Sequence, residues 1–267
     1  MAHLAGLLNP HHCGSLAGLS ASDATTTLTD EVRTLRIGGK QLSTLFLDIK
    51  WRFDNLSPST LCSLLKGKAV NPYLVSWTRS FLTGRTSRLC YQGSPKDFAP
   101  VSACTPQGSP ISPLLFVIYV LRLHCEIPHA LSLSYMDDFG RTVSSTSYRR
   151  NILSLQRHYS VLKGSGSRLG VSFSVPKTEL IHWRTIRDRS PVSHSPVHLE
   201  GSIFPRQKMV RWLGYWFTPS ISTTPHFTMR LAKAQAGFVA IKRLSPWEWV
   251  FPHSSATSWP PLSSSPP

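Results

Sequence analysis

A chain of 267 residues, 41% of them hydrophobic, is long enough for one large domain or two small ones with a real core, which excludes a wholly disordered protein. Lysine and arginine number 29 against 13 acids, a formal net charge of +16. Such an excess attracts polyanions and makes nucleic acid the expected partner, although charge alone does not separate it from an anionic membrane or a ribosome.

The longest apolar run near the middle, Leu114 to Leu121, is eight residues, against the roughly 18–20 that span a bilayer, so no membrane role is expected. The chain opens without a charged-then-apolar leader, and secretion is not expected. Five cysteines, odd in number and nowhere in C-x-x-C spacing, argue against a disulfide framework or a structural zinc and for a reducing compartment. His11-His12-Cys13 has the residue types of a partial metal site but no second pair of ligands at suitable spacing, and it reads as an ordinary surface segment.

In chain order, Thr25 to Leu35 predicts a short amphipathic helix ending before Gly38-Gly39. "STLFLDI" predicts a strand with Asp48 at its end. Ser57-Pro58 has the cap-then-proline form of a helix start, and "NPYLVSWTRSFLTGR" repeats it with Pro72 near the start and Gly84 past the end. "SRLCYQGS" predicts a strand, and Ser112-Pro113 opens a long buried helix. "LSLSYM" and "FGRTVSS" predict a hairpin whose tip carries Asp137 and Asp138. Residues 141–190 hold ten Lys or Arg and two acids, which predicts a basic surface in the path of a polyanion beside that tip. "LGVSFSVPKTELIHW" predicts one alternating strand and "VRWLGYWF" another, before a helix from about His226 to Arg243. Strands and helices that alternate without a regular period predict an α+β fold. From Phe251 the chain has five Pro, six Ser and no Asp, Glu, Lys or Arg, and a disordered tail is expected over 246–267.

Two adjacent carboxylates in an apolar hairpin repel each other, and burial raises the cost, so the arrangement calls for protonation or a counter-cation. Mg²⁺ is the natural answer, being bound by carboxylates together with substrate phosphates. Phosphoryl-transfer sites hold two such ions about 3.5–4 Å apart. Asp48, at the end of an apolar strand expected to lie beside the hairpin, is the best third carboxylate. An isolated D-D pair would most often be a polar turn.

Here the pair has company. "FLDIKWRFDN", "TPQGSPISPLLF", "YMDDF", "LGVSFSVPKTEL" and "RWLGYWF" occur in that order, and over about residues 9 to 245 they closely resemble the palm motifs of reverse transcriptases, especially those of non-LTR (LINE-like) retrotransposons. The resemblance implies a polymerase palm, an antiparallel sheet with packed helices. Residues 1–40 would be a partial fingers lead-in and 41–245 the palm with fingers insertions, the thumb side being truncated. It implies RNA-directed DNA synthesis with two Mg²⁺ (or Mn²⁺) ions, an RNA template, a DNA primer and deoxynucleoside triphosphates, in an intracellular, nuclear setting. Asp48 and Asp137 would bind both metals, with Asp138 less directly bound. Phe53 would be the aromatic gate that selects deoxynucleotides. Gln107 and Gly108 would contact nucleotide and template, Lys177 would lie near the triphosphate, and Trp212, Leu213 and Gly214 would grip the primer.

Each position has a plainer reading: a core phenylalanine at 53, a solvent-facing strand lysine at 177, core residues at 212–214. Trp51 and Arg52 depart from the small residues the family usually has before the gate, and Cys104 stands where glycine is usual. Only 47 residues precede Asp48, so part of the fingers is expected to be missing, and a shifted reading frame or early stop would produce the tail. Two other classes compete with the polymerase: a degenerate remnant that binds nucleic acid without efficient chemistry, and a two-metal nuclease, which would have no need of the gate, loop and grip segments.

Overall fold

The computed structural model describes residues 12–14, 18–50, 56–101, 105–106, 108–125, 131–184 and 196–244. Two units are present, Met1–Ser222 and Thr223–Pro267. In the second, the described element is one helix, Thr224–Leu244, close to the span the sequence predicts.

The first unit is built around strand β1, Gln41–Lys50, buried along nearly its whole length. A strand covered on both faces needs no polar alternation, which is why "LSTLFLDI" is almost continuously apolar. Following it are β2 (Arg85–Ser87), β3 (Cys90–Tyr91), β4 (Ser94–Pro95) and β5 (Ala99–Val101), in two small two-stranded sheets pairing β2 with β5 and β3 with β4. The predicted strand over "SRLCYQGS" is therefore split, because Gln92 and Gly93 turn at positive φ and fold Cys90–Tyr91 back on Ser94–Pro95. Strands β6 (Leu131–Tyr135) and β7 (Asp138–Ser145) form the predicted hairpin, and β7 pairs antiparallel with β1.

On the other side of β1 lie β8 (Ser172–Phe173) and β9 (Glu179–Trp183). The single strand predicted over "LGVSFSVPKTELIHW" is broken in two: Pro176 has no N–H for a ladder, and Val175–Lys177 forms a 3-10 turn instead. Two further hairpins pair β10 (Val197–Leu199) with β11 (Ser202–Phe204) and β12 (Val210–Trp212) with β13 (Tyr215–Phe217).

Helices cover both faces of the central sheet. On one side, α1 (Ala21–Ile37), started by a capping box between Ser20 and Asp23, packs Ala24, Leu28 and Val32 against Leu42, Phe46, Trp183 and Trp212. The other side carries α2 (Pro58–Gly67), α3 (Pro72–Leu82), α4 (Ser112–Val120), the short α5 (Arg122–Cys125) and α6 (Tyr148–Arg168). Their apolar residues meet Leu45, Leu47 and Ile49, the alternate set of β1 side chains, as the two-residue period of a strand requires. Ser57 and Asn71 cap α2 and α3 where the sequence places their starts. The Ser112 helix is interrupted at Leu121, and no helix among the described residues is long and apolar enough to cross a membrane.

Candidate functional site

Antiparallel register sets Asp48 of β1 directly opposite Asp138 of β7. Residues opposed in this way point to the same face, about 4.5–5.5 Å apart at Cβ. Both carboxylates therefore project on the side of Phe46 and Gly140, away from the α2–α6 layer. Asp137 stands in the two-residue turn between Tyr135 and Asp138, with 9% of its surface exposed. Its carbonyl accepts a 3.1 Å hydrogen bond from the Ile49 amide, so the acidic turn is tied to the residue after Asp48. Three carboxyl-bearing residues thus come together at one end of two adjacent strands. Like charges placed directly opposite are destabilising, and cations offset that cost.

One cation is in place. The Ser174 amide donates to the Asp48 carbonyl at 2.7 Å, which fixes the start of the 3-10 turn against the end of β1. Lys177, the last residue of that turn, then reaches back so that its Nζ lies 3.0 Å from Asp48 Oδ2. The lysine side chain is 69% exposed and the aspartate 19%, and a pair of this kind contributes at most about 1 kcal/mol. The lysine can leave the carboxylate for a phosphate at small cost.

Trp212 occupies the layer next to the acids. Its indole packs 5.3 Å from the Phe46 ring, and a Cβ on Gly140 would lie 3.6 Å from Trp212 Cζ2. Phe46 and Gly140 are themselves register partners, two residues from Asp48 and Asp138. Trp212 is 3% exposed, so its side chain anchors the β12–β13 hairpin, whose tip is Leu213 and Gly214, both at positive φ and half-buried. Gly108 lies in the turn that enters α4, where φ of +89° favours a glycine and, among the described residues, no neighbour crowds its missing side chain. Phe53 and Gln107, together with Trp51, Arg52 and Cys104, lie outside the described residues.

Two sequence expectations change. Among the described residues, most of the basic run of 141–190 does not line the acidic tip: Arg149, Arg150, Arg157, Lys163 and Arg168 are exposed on α6, which packs against the opposite face of the sheet. Arg141 is buried at 2% exposure with both terminal nitrogens unpartnered, and burial pulls its pKa down to about 10. Lys177, also of that run, is paired with a carboxylate of the site.

His12-Cys13 is not a surface segment either. Both side chains are buried, and the Cys13 amide donates to the Ser134 carbonyl at 2.9 Å, directly behind the acidic hairpin. The clustering of His, Cys and Gly at 12–14 was visible in the sequence, but its partner, Ser134, is 122 positions away.

The model of the reverse transcriptase (RNA-dependent DNA polymerase) family matches residues 7–217. Among curated proteins, the chain is 25% identical over 227 residues to the probable RNA-directed DNA polymerase from transposon BS of Drosophila melanogaster, covering 82% of this chain and 25% of that one. It is 24% identical over 193 residues to the RNA-directed DNA polymerase from mobile element jockey of the same organism, covering 68% and 20%. The chain therefore spans a quarter or less of the length of these relatives. Solved structures with the same fold include telomerase from Candida albicans in complex with a TWJ fragment of telomeric RNA (TM-score 0.54, 14% identity, 79% of this chain and 35% of that one). Apo telomerase from Candida tropicalis truncated of its C-terminal domain is another (TM-score 0.52, 15% identity, 73% and 38%). The chain belongs to the reverse transcriptase (RNA-dependent DNA polymerase) family and is of the non-LTR retrotransposon kind.

Proposed function

We propose that this chain is the palm of an RNA-directed DNA polymerase that extends a DNA primer with deoxynucleotides along an RNA template. The observation that carries the reading is the register pair Asp48–Asp138, with Asp137 in the adjoining turn. The donor set is all carboxylate, which suits a hard cation such as Mg²⁺ or Mn²⁺. Among the described residues no group of three or more His, Cys, Asp or Glu is arranged to hold a metal by itself. The residues fit ions shared with substrate phosphates, the usual mode for Mg²⁺. When bound, two such ions would supply charge neutralisation at the α-phosphate and ready the primer 3′-hydroxyl for attack.

The rest falls to the chain's own groups. Asp48 and Asp137 are the proposed main ligands and Asp138 the flanking one. Lys177, released from Asp48, would meet the triphosphate and stabilise charge on the departing pyrophosphate. Gln107 and Gly108 would lie against nucleotide and template, Phe53 against the incoming sugar, and the Leu213-Gly214 tip against the primer end. With no covalent intermediate to form, rate would come from positioning and electrostatics.

Primer extension on an RNA template with Mg²⁺ and deoxynucleotides tests the reading, which requires extension by the wild-type chain and its loss in Asp48→Asn. The bulky Trp51-Arg52 pair favours a second reading, the weakly active remnant. Retained primer–template binding without extension in either protein would select it.

A further inference from the structure

The residues behind the acidic hairpin are more closely fitted than packing alone requires. His12 forms a parallel bridge with Ser134, and its Nδ1 lies 2.5 Å from the Ser134 hydroxyl. The same hydroxyl lies 2.7 Å from His124 Nε2, and His124 Nδ1 lies 3.0 Å from the Ser132 hydroxyl. The His124 ring stacks at 4.8 Å on Phe139, the residue after Asp138. This buried polar chain ties His12 and Cys13 to β6 at the residue pair just ahead of the turn.

Gly14 then meets the turn itself. A Cβ at this position would stand 2.5 Å from the Met136 backbone nitrogen and 3.0 Å from Met136 Cγ. The nearer atom is backbone, so a side chain at 14 could be accommodated only by moving the turn. Met136 sits at φ +57°, a conformation that a residue with a side chain holds only when its surroundings impose it.

We infer that His12–Gly14 is a positioning strap: it presses on Met136, holds the turn left-handed and so keeps Asp137 against β1. Gly14 is the positioning residue, acting through Met136 rather than touching substrate. The inference rests on the reading of the three aspartates as a metal site, but its structural half can be measured without metal.

The probe is the Ile49 amide, whose partner is the Asp137 carbonyl. In Gly14→Ala, its hydrogen exchange is expected to accelerate at least about tenfold relative to the amides of Leu45–Leu47. In Cys13→Ala, which removes a neighbouring buried side chain without crowding the turn, that ratio should stay unchanged. Mn²⁺ affinity, read by electron paramagnetic resonance, should weaken about ten- to a hundredfold in Gly14→Ala while metal-free primer–template affinity is kept.

A folded Gly14→Ala protein with an unaltered Ile49 ratio would overturn the strap. Should that variant not fold, Ser134→Ala cuts the tie between His12 and His124 and should give the same selective acceleration; a uniform rise along β1 would overturn the inference. Absence of Mn²⁺ binding to wild type would instead contradict the metal reading, and the Ile49 ratio would still decide the strap.

Discussion

Two hairpins of this molecule, β6–β7 and β12–β13, share a two-residue turn and differ in what holds it. In the first, positive φ occurs at Met136 and not at Asp137, the pattern of a type II′ turn with methionine where glycine is preferred. In the second, Leu213 and Gly214 are both positive, as in type I′. The first turn is tied to β1 through the Ile49–Asp137 hydrogen bond and backed by Gly14. The second is fixed below its tip, by Trp212 lying on Phe46 and Gly140. The turn that carries an acid of the proposed metal site is clamped at the turn itself, whereas the other is anchored at its base and leaves its tip half-exposed.

The largest effect should come from the charges that the clamped turn sets side by side at the ends of β1 and β7. Asp48→Asn is expected to lower extension by roughly a hundred- to a thousandfold, as removal of a preorganised electrostatic group does elsewhere, and Asp138→Asn, the flanking carboxylate, by less. Denaturant unfolding of Asp138→Asn should show stability unchanged or raised by about 0.5 kcal/mol, because a like-charge cross-strand pair is relieved. Lower stability together with lost activity would mean that these residues act through the fold.

Trp212→Ala breaks the other hairpin's anchor. Loss of a fully buried indole should destabilise the first unit by about 3–5 kcal/mol, measured by urea midpoint. Local loosening of β12–β13 without a shift in that midpoint would break the comparison, since the hairpin would then be an appendage.

Acid should distinguish the two regions. Burial, only partly offset by a backbone hydrogen bond at Gly14, holds the His12 pKa down to about 4 from an ordinary 6.5. The unfolded chain therefore binds more protons between these values, so stability is full above about pH 6.5 and falls as pH drops toward 4, by up to roughly 3 kcal/mol. Amide exchange around Ser134 and Ile49 should rise in this window ahead of that around Trp212. A His12→Gln protein with the same acid profile would contradict the assignment.

The smallest effect concerns the open tip. Leu213→Gly relieves a residue at φ +49° but removes a half-buried side chain packed against the Phe46–Trp212 cluster, so the two effects should largely cancel and leave thermal stability within about 0.5 kcal/mol of wild type. Met136→Gly relieves similar strain, yet should lower extension, because the clamped turn would lose its fixed geometry.

Much of the scaffold was legible because it is written locally. The apolar run of β1, the proline-started helices at Ser57 and Asn71, and the alternation on either side of Met136-Asp137 each specify an element within a few residues. The three aspartates were legible as candidates for the same reason, since a strand end and a hairpin tip next to each other bring them to one end of a sheet. What stayed hidden depends on distance along the chain. His12 meets Ser134 and Lys177 meets Asp48 across more than a hundred residues, and no local pattern encodes either contact. Nor could composition say which face of the sheet α6 would cover, and so the arginines and lysine of that helix were expected beside the acids when they lie behind them.

The central claim is that the ends of β1 and β7 hold metal for templated synthesis, and Mn²⁺ titration in the presence of primer–template and a non-hydrolysable deoxynucleotide tests it most directly. Wild type is expected to bind two ions per chain, with at least one lost in Asp48→Asn and nucleic-acid affinity kept. Equal Mn²⁺ binding by the two proteins, or none by either, would contradict the account.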